Sequence, residues 1–247
     1  IMAVISLCFL SAQTDPEWVW AHGGGSVNVD SGRGVSTDSL GNCYLAGWYN
    51  GAATFGPLSL TSNAASNDVV VIKMNPAGEI LWAVSAGGIY SDNAYAITTL
   101  PGGISLVTGE FYGTASFGTN TISAGDAAGA FVAAISPTGE WLWANSASGS
   151  GFGEERGYGI AADEFGNGYV TGYIKGNASF GSLTVNTSSG DDPAAFVAKI
   201  GAGGVWNWVV TGGGTSWANP AQAYAVATDR NGHVYFSGYY LSTFDIG

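Results

Sequence analysis

The sequence repeats itself with a period of 61 to 66 residues, and this repeat constrains the fold more than any other feature. Three kinds of residue mark the period independently of one another. They are Trp20, Trp82, Trp143 and Trp208; Gly47, Gly109, Gly172 and Gly238; and Phe55, Phe117, Phe180 and Phe244. A fixed period with several markers indicates one supersecondary unit that is stacked several times within a single domain.

Each repeat contains four strand-like segments, which we name A to D in chain order. In the first repeat they cover residues 34–38, 44–47, 68–74 and 79–85. Strand A has small residues, strand C is a nearly continuous apolar run, and strand D carries the marker tryptophan, which we expect between neighbouring sheets. An Asp-x-x-Gly turn joins A to B, because aspartate accepts hydrogen bonds there and glycine takes positive φ. Between B and C, a Phe-Gly pair with alternating apolar residues predicts an extra hairpin over one end of the unit.

Four antiparallel strands at a fixed period, with small residues inside and aromatic residues outside, predict an all-β fold, a β-propeller of four-stranded antiparallel blades. About 3.5 blades are expected, with the ring incomplete. The predicted boundaries are residues 13–247 for a single propeller domain, with blades at about 26–85, 86–146 and 147–211, a partial blade at 212–247, and residues 17–25 as an outer strand.

The composition favours an ordered protein with a polar, weakly charged surface. Aromatic residues make up 13% of the chain, whereas disordered chains are poor in them, so the 40 glycines are interpreted as turn and bulge residues. There are 18 acidic against 6 basic residues, and the net charge of −12 repels phosphate backbones. We therefore expect no nucleic-acid partner.

The N-terminal residues predict export. Residues 1–12 are apolar and end in small side chains, as in the remnant of a secretory signal peptide, and an ordinary hydrophobic first strand is the alternative. The apolar stretch is too short to span a bilayer, so we expect no membrane span and a secreted or cell-surface protein. Cys43 is the one cysteine outside this stretch and is expected to be a small buried side chain.

The repeat resembles the bacterial β-propeller repeats known as SBBP repeats over about residues 17–247. The third repeat matches the family pattern, in order, at Asp163, Gly166, Asn167, Tyr169, Gly172, Phe180, Phe196, Lys199 and Trp208. The second repeat departs from it, with Leu100 in place of the aspartate and Ala134 in place of the lysine. The resemblance implies a secreted or cell-surface protein made of propeller blades, and it supplies no catalytic residue.

Three acidic residues occupy one position in successive D–A connections, namely Asp30, Asp92 and Glu155. In a propeller the D–A and B–C connections lie on one face around the channel mouth, so these carboxylates could hold a cation or a basic ligand there. The alternative is that each carboxylate caps the turn into strand A. A calcium site takes roughly six to eight oxygens, and no Asp-x-Asp-x-Asp run supplies them, so no metal site is predicted.

Aromatic residues cluster just past strand B on the same face, and the candidates are Trp48, Tyr112 and Tyr173. Aromatic rings at that position could stack on the rings of a sugar ligand. The alternative is that they cover the B–C hairpin.

Two functional hypotheses follow from these features. The first is a binding or scaffolding module that recognises a protein or glycan ligand through the D–A and B–C face. The second is an extracellular carbohydrate-active enzyme, a lyase or glycosidase, with its carboxylates at the channel mouth. The sequence has no Gly-x-Ser-x-Gly and no His-Glu-x-x-His motif, so the binding module is favoured, and no cofactor is expected.

Overall fold

In a computed structural model of the chain, the described residues are 2–8, 17–149, 154–187, 193–213 and 220–241. Nearly all of their regular structure is antiparallel β-strand, and the single helical element of these ranges is a 3-10 turn at Asn63–Ala65. The predicted all-β fold is confirmed. Across the same ranges, no helix has the length and apolar character that crossing a membrane requires.

The strands form three full repeat units between a leading pair and a closing pair. The leading pair is β1 (Met2–Cys8) and β2 (Glu17–Gly25). The first unit comprises β3 (Ser31–Thr37), β4 (Cys43–Asn50), β5 (Ala52–Phe55), β6 (Leu58–Thr61), β7 (Asn67–Met74) and β8 (Ile80–Gly88). The second comprises β9 (Asn93–Thr99), β10 (Ser105–Phe117), β11 (Asn120–Ile135) and β12 (Trp141–Gly149). The third comprises β13 (Glu155–Ala162), β14 (Gly168–Lys175), β15 (Asn177–Phe180), β16 (Leu183–Asn186), β17 (Pro193–Ile200) and β18 (Trp206–Gly212), and the closing pair is β19 (Ala221–Thr228) and β20 (Val234–Tyr240).

In every full unit, four long strands pair antiparallel in chain order, as segments A to D predict. The orders are β3-β4-β7-β8, β9-β10-β11-β12 and β13-β14-β17-β18. The closing pair repeats the A–B pairing, and β1 pairs with β2 as C pairs with D. Residues 2–8 of the N-terminal apolar stretch are therefore a strand in the structure, and the signal peptide and export stay predictions.

The hairpin between strands B and C joins the neighbouring unit. β5 pairs with the end of β2, the corresponding part of β10 with the end of β8, and β15 with the end of β12. The predicted hairpin also packs on strand D of its own unit, where the Phe117 ring centre lies 5.0 Å from that of Trp141 and the Phe180 ring centre 5.1 Å from that of Trp206. Its pairing with the preceding unit was not predicted. The physical reason is that strand D would otherwise end its sheet with unpaired N–H and C=O groups, and the next unit's hairpin supplies their partners.

The marker tryptophans bridge the junctions between units, as their position predicts. Three of the four indole N–H groups donate, over 2.9 to 3.0 Å, to a carbonyl in the C–D turn of the next unit; the pairs are Trp20 with Pro76, Trp82 with Pro137, and Trp143 with Ala202. A second indole at two junctions, in Trp141 and Trp206, donates back to the preceding strand D over 3.2 and 3.3 Å. The junctions therefore combine apolar burial with satisfied indole hydrogen bonds.

The first strands of the units lie side by side. β3 packs on β9, β9 on β13, and β13 on β19. The approach is so close that a Cβ atom at Gly34 would lie 2.9 Å from the backbone nitrogen of Ile97, and one at Gly159 would lie 2.9 Å from the carbonyl oxygen of Tyr224. Small residues in strand A are thus required by packing. Two large apolar clusters likewise each span two neighbouring units. The half-buried Cys43 packs against a third cluster.

Candidate functional site: an aromatic row on the first strands

The start of strand A carries a β-bulge in all four A–B pairs. The register with strand B skips one residue each time, and the skipped residues are Arg33, Tyr95, Tyr158 and Tyr224. A bulge leaves its extra residue outside the ladder and re-aims that side chain. Each unit therefore presents one large side chain from an otherwise small-residue strand.

The bulge requires glycine at the marker positions of strand B. A Cβ atom at Gly47, Gly109, Gly172 or Gly238 would lie 1.8 to 2.0 Å from a carbonyl oxygen of the bulged strand. No side chain can be accommodated at such distances without moving the backbone. The periodic glycine and the bulged residue therefore belong to one structural feature, which every A–B pair repeats.

The bulged residues form a continuous line, which we call the aromatic row: Arg33, Tyr95, Tyr158 and Tyr224. The guanidinium carbon of Arg33 lies 5.9 Å from the centre of the Tyr95 ring. The ring centres of Tyr95 and Tyr158, and of Tyr158 and Tyr224, are each 5.5 Å apart. Aromatic contacts at these separations are favourable, so neighbouring rings of the row stabilise one another's positions.

Two tyrosines of strand B extend the row. The Tyr173 ring centre is 5.8 Å from that of Tyr158, and Tyr239 is stacked on Tyr224 at 6.2 Å. Tyr224 and Tyr239 are 47% and 42% exposed, while Tyr95 and Tyr158 are half-buried. The row thus runs from packed rings in the second and third units to accessible rings in the closing pair.

An ion pair between the buried Glu110 and the half-buried Arg156 lies beside the row. Glu110, 5% exposed, pairs with the Nε of Arg156 at 2.5 Å, and its other oxygen accepts from Asn93 at 2.9 Å and from the Tyr95 hydroxyl at 2.5 Å. Burial, followed by the hydrogen bond to Glu110 and its charge, raises the pKa of Tyr95 well above its ordinary value. Tyr95 therefore stays a neutral donor, and its ring is fixed in place.

Two of the three predicted carboxylates, those of Asp30 and Asp92, are buried acceptors of backbone hydrogen bonds. Asp30 accepts from the backbone N–H of Ser26 at 2.6 Å and of Asn50 at 3.1 Å. The Asp92 carboxylate accepts from the N–H of Gly88 at 2.7 Å and of Tyr112 at 3.2 Å. Their hydrogen bonds are those of the capping alternative, with the addition that each carboxylate also holds the end of strand B.

Glu155, the third predicted carboxylate, is fully buried at the start of β13. Burial raises its pKa to about 8, opposed by a backbone hydrogen bond from Gly149 and reinforced by the charge of Glu154. Burial likewise raises the pKa of Asp92 to about 7. Asp30, Asp92 and Glu155, with at most 8% exposure, are therefore corrected from a ligand-facing acidic ring to internal groups.

The three predicted aromatic residues have different surroundings. Tyr173 lies at the aromatic row, and its hydroxyl donates to Glu154 over 3.2 Å. Tyr112 is half-buried in a separate cavity beside Tyr90. Trp48 is half-buried in the first unit, at the position that Tyr173 takes in the third. The structure thus brings one of the three to the candidate site.

Sequence reasoning missed Tyr95, Tyr158 and Tyr224, although a signal for them was present. These residues and Arg33 recur with the period of the marker glycines, one position before the segments assigned to strand A. A large residue repeated at the edge of a small-residue strand is what a conserved bulge position would produce. In the described ranges, no group of three or more His, Cys, Asp or Glu side chains is placed to hold a metal ion.

Comparisons with known proteins leave the site to be interpreted from its geometry. No family model matches the chain, and no curated protein matches it. Among solved structures, the chain is similar to a protein of unknown function from Bacteroides caccae, at 14% identity, with 79% of this chain and 86% of that chain covered and a TM-score of 0.26. A score at that level carries no argument about fold or activity.

Proposed function

We propose that this chain is a secreted or cell-surface β-propeller of the SBBP-repeat type, which acts as a binding module for a glycan through the aromatic row. The observation that carries the proposal is the bulge repeated in four A–B pairs, which places three tyrosine rings in line at 5.5 Å separations. A propeller arrangement is supported by four-stranded units whose first strands pack side by side.

The chemistry of the row suits a sugar chain. Tyrosine combines an apolar ring face with a hydroxyl, so it can pack on the C–H face of a pyranose and also hydrogen-bond its hydroxyl groups. Arg33 at one end of the row is exposed and adds further donors. A surface that repeats at a regular spacing matches a ligand that itself repeats.

A protein is the alternative ligand, because tyrosine and arginine are also enriched at the centres of protein interfaces. We favour a glycan because the row lies on a polar network, in which Glu110 accepts hydrogen bonds from Asn93 and Tyr95 and is ion-paired with Arg156. The proposal of an exported protein is supported by the apolar stretch at residues 1–12, which resembles the remnant of a secretory signal peptide.

The proposal is tested by screening the full chain on a glycan array and measuring the affinity for any hit by calorimetry. Tyr224→Ala removes an exposed ring of the row, so the fold is expected to persist. Because an aromatic contact contributes about 0.5–1.5 kcal/mol, we expect binding to weaken by roughly 2- to 12-fold.

The matched control is Tyr235→Ala, which removes a tyrosine of similar exposure, 59%, that is not part of the row. It should bind like the wild type. Equal affinities of the wild type and Tyr224→Ala for every glycan, or binding to proteins alone, would overturn the proposal.

A further inference from the structure

The second unit contains a cavity beside its D–A connection. The cavity has a volume of about 230 Å³ and is lined by Tyr90, Tyr112, Gly113, Gly125 and Asp126. It lies where the D–A connection meets the start of the β10–β11 hairpin extension. Sites for drug-sized ligands occupy roughly 300–1,000 Å³, so this one has room for a single small ring.

Two glycines with positive φ make the cavity possible. Gly113 has φ 65° and Gly125 has φ 66°, a region that side chains other than glycine rarely adopt. A Cβ atom at Gly113 would lie 2.9 Å from the Tyr90 ring, so this ring rests directly on the main chain. Tyr90 nevertheless remains 56% exposed. One side of the ring is therefore supported, while much of it stays available to a ligand.

The first unit shows that the fold does not need this tyrosine. Asn28 occupies the place of Tyr90, and its side-chain nitrogen lies 2.9 Å from the position of a Cβ at Gly51, the counterpart of Gly113. The Asn28 amide donates to the carbonyl oxygen of Asn50 at 3.2 Å and to its side-chain oxygen at 3.1 Å. In the first unit this position closes the connection onto strand B; in the second it presents an aromatic ring.

The other walls of the cavity are also fixed. The backbone N–H of Tyr112 donates to the buried carboxylate of Asp92 at 3.2 Å, which anchors the end of strand B. Asp126 is exposed at the opposite side and supplies a carboxylate acceptor. Two aromatic side chains with hydroxyls and one carboxylate are the groups that bind the C–H face and the hydroxyls of a sugar.

We propose that this cavity binds one non-acidic pyranose ring, independently of the aromatic row. Asp126 and the net charge of −12 disfavour uronates and other anionic sugars, since like charges repel. A neutral or amino-bearing sugar would instead use Asp126 as a hydrogen-bond acceptor. The site adds a second contact point to the proposed glycan-binding function and does not depend on it.

The test is ligand-observed NMR with the full chain and four probes: methyl glucoside, methyl galactoside, glucosamine and glucuronate. At least one of the first three is expected to bind, and glucuronate is not. Tyr90→Asn copies the first unit, so we expect an unchanged Tm and at least a 5-fold loss of affinity, which corresponds to about 1 kcal/mol.

A second variant controls for the loss of a tyrosine elsewhere. Tyr235→Ala, outside both the cavity and the aromatic row, should leave probe binding unchanged, and Tyr90→Asn should weaken it. The inference is overturned if none of the first three probes binds, if Tyr90→Asn binds as well as the wild type, or if glucuronate binds best. Loss of binding in Tyr224→Ala alone would assign the sugar to the aromatic row, and it would also overturn the proposal that the cavity binds it.

Discussion

Carboxylates recur at the A–B turn in the first and third units and at the D–A end in all three, and the pKa values of Asp38 and Asp163 at the turn shift in the opposite direction from those of Asp92 and Glu155. At the A–B turn, Asp38 accepts four hydrogen bonds: from the N–H groups of Leu40 and Asn42, the Asn42 amide, and the Tyr44 hydroxyl. Burial acts to raise its pKa, but these hydrogen bonds together hold the pKa below its ordinary value. Asp163 has the same pattern of donors and the same direction of shift.

At the D–A end, Asp92 accepts two backbone hydrogen bonds and has carboxylates as neighbours. Burial raises its pKa to about 7, and the charges of Asp68 and Glu110 add to the effect. Asp68 is also buried, and its own pKa is raised to about 6. At the D–A end, burial therefore outweighs the hydrogen bonds and raises the pKa of Asp92, whereas at the A–B turn the donors outweigh burial.

The largest effect is expected at the D–A end, from Gly172→Ala. The new Cβ would lie 1.8 Å from the carbonyl oxygen of Arg156, so the bulge must shift, at a cost of about 3 kcal/mol. Urea denaturation measures the change in the free energy of unfolding. Gly203→Ala is the control, because a Cβ there has nothing within 4 Å and should leave stability unchanged. Similar stabilities of the two variants would mean that the bulge is not tightly held.

A smaller effect is expected at the A–B end, from Asp163→Ala. This change leaves the N–H groups of Phe165 and Asn167 and the Tyr169 hydroxyl without their acceptor, which we expect to cost about 1.5–3 kcal/mol. Differential scanning calorimetry should show a lower Tm. The exposed neighbour Glu164 provides the control, since Glu164→Ala should leave Tm unchanged. Equal Tm values in both variants would contradict a stabilising role for the turn aspartate.

The smallest expected effect is the change of stability with pH, which compares the carboxylates of the two ends directly. The raised pKa values of Asp68, Asp92 and Glu155 mean that their contribution is present below about pH 4 and is lost as pH rises through about 6, 7 and 8. The lowered pKa values of Asp38 and Asp163 have the opposite sign, so their contribution is lost below about pH 4.

We therefore expect a higher Tm at pH 5 than at pH 9, measured by differential scanning fluorimetry. In Asp92→Asn the difference should shrink, because one of the three groups no longer titrates. A Tm that rises between pH 5 and pH 9 would show that the buried carboxylates of the D–A end do not titrate as their surroundings indicate.

Much of the architecture was predictable from the sequence because it is local. Strands A to D follow from short apolar runs, and the turn at Asp163 uses donors no more than six residues away. The period itself indicated that one unit is built several times. Of the candidate site, the sequence identified Tyr173 but not the bulge residues beside it.

Besides the aromatic row, two features were decided by tertiary structure, because each depends on which distant segment becomes the neighbour. The B–C hairpin completes the preceding unit's sheet, since an edge strand accepts whichever partner packing brings close. The side chains of Asp30 and Asp92 turn inward, since backbone donors 20 residues along the chain reach them there.

The aromatic row shows most clearly what the sequence determined and what the tertiary structure decided. The sequence by itself determined that a tyrosine recurs beside strand A and that glycine faces it on strand B. Only the tertiary structure decided that Tyr95, Tyr158 and Tyr224 meet, because their contact depends on the side-by-side packing of β9, β13 and β19. Periodicity specifies what each unit contains, whereas the distance and angle between units decide which of its side chains come together.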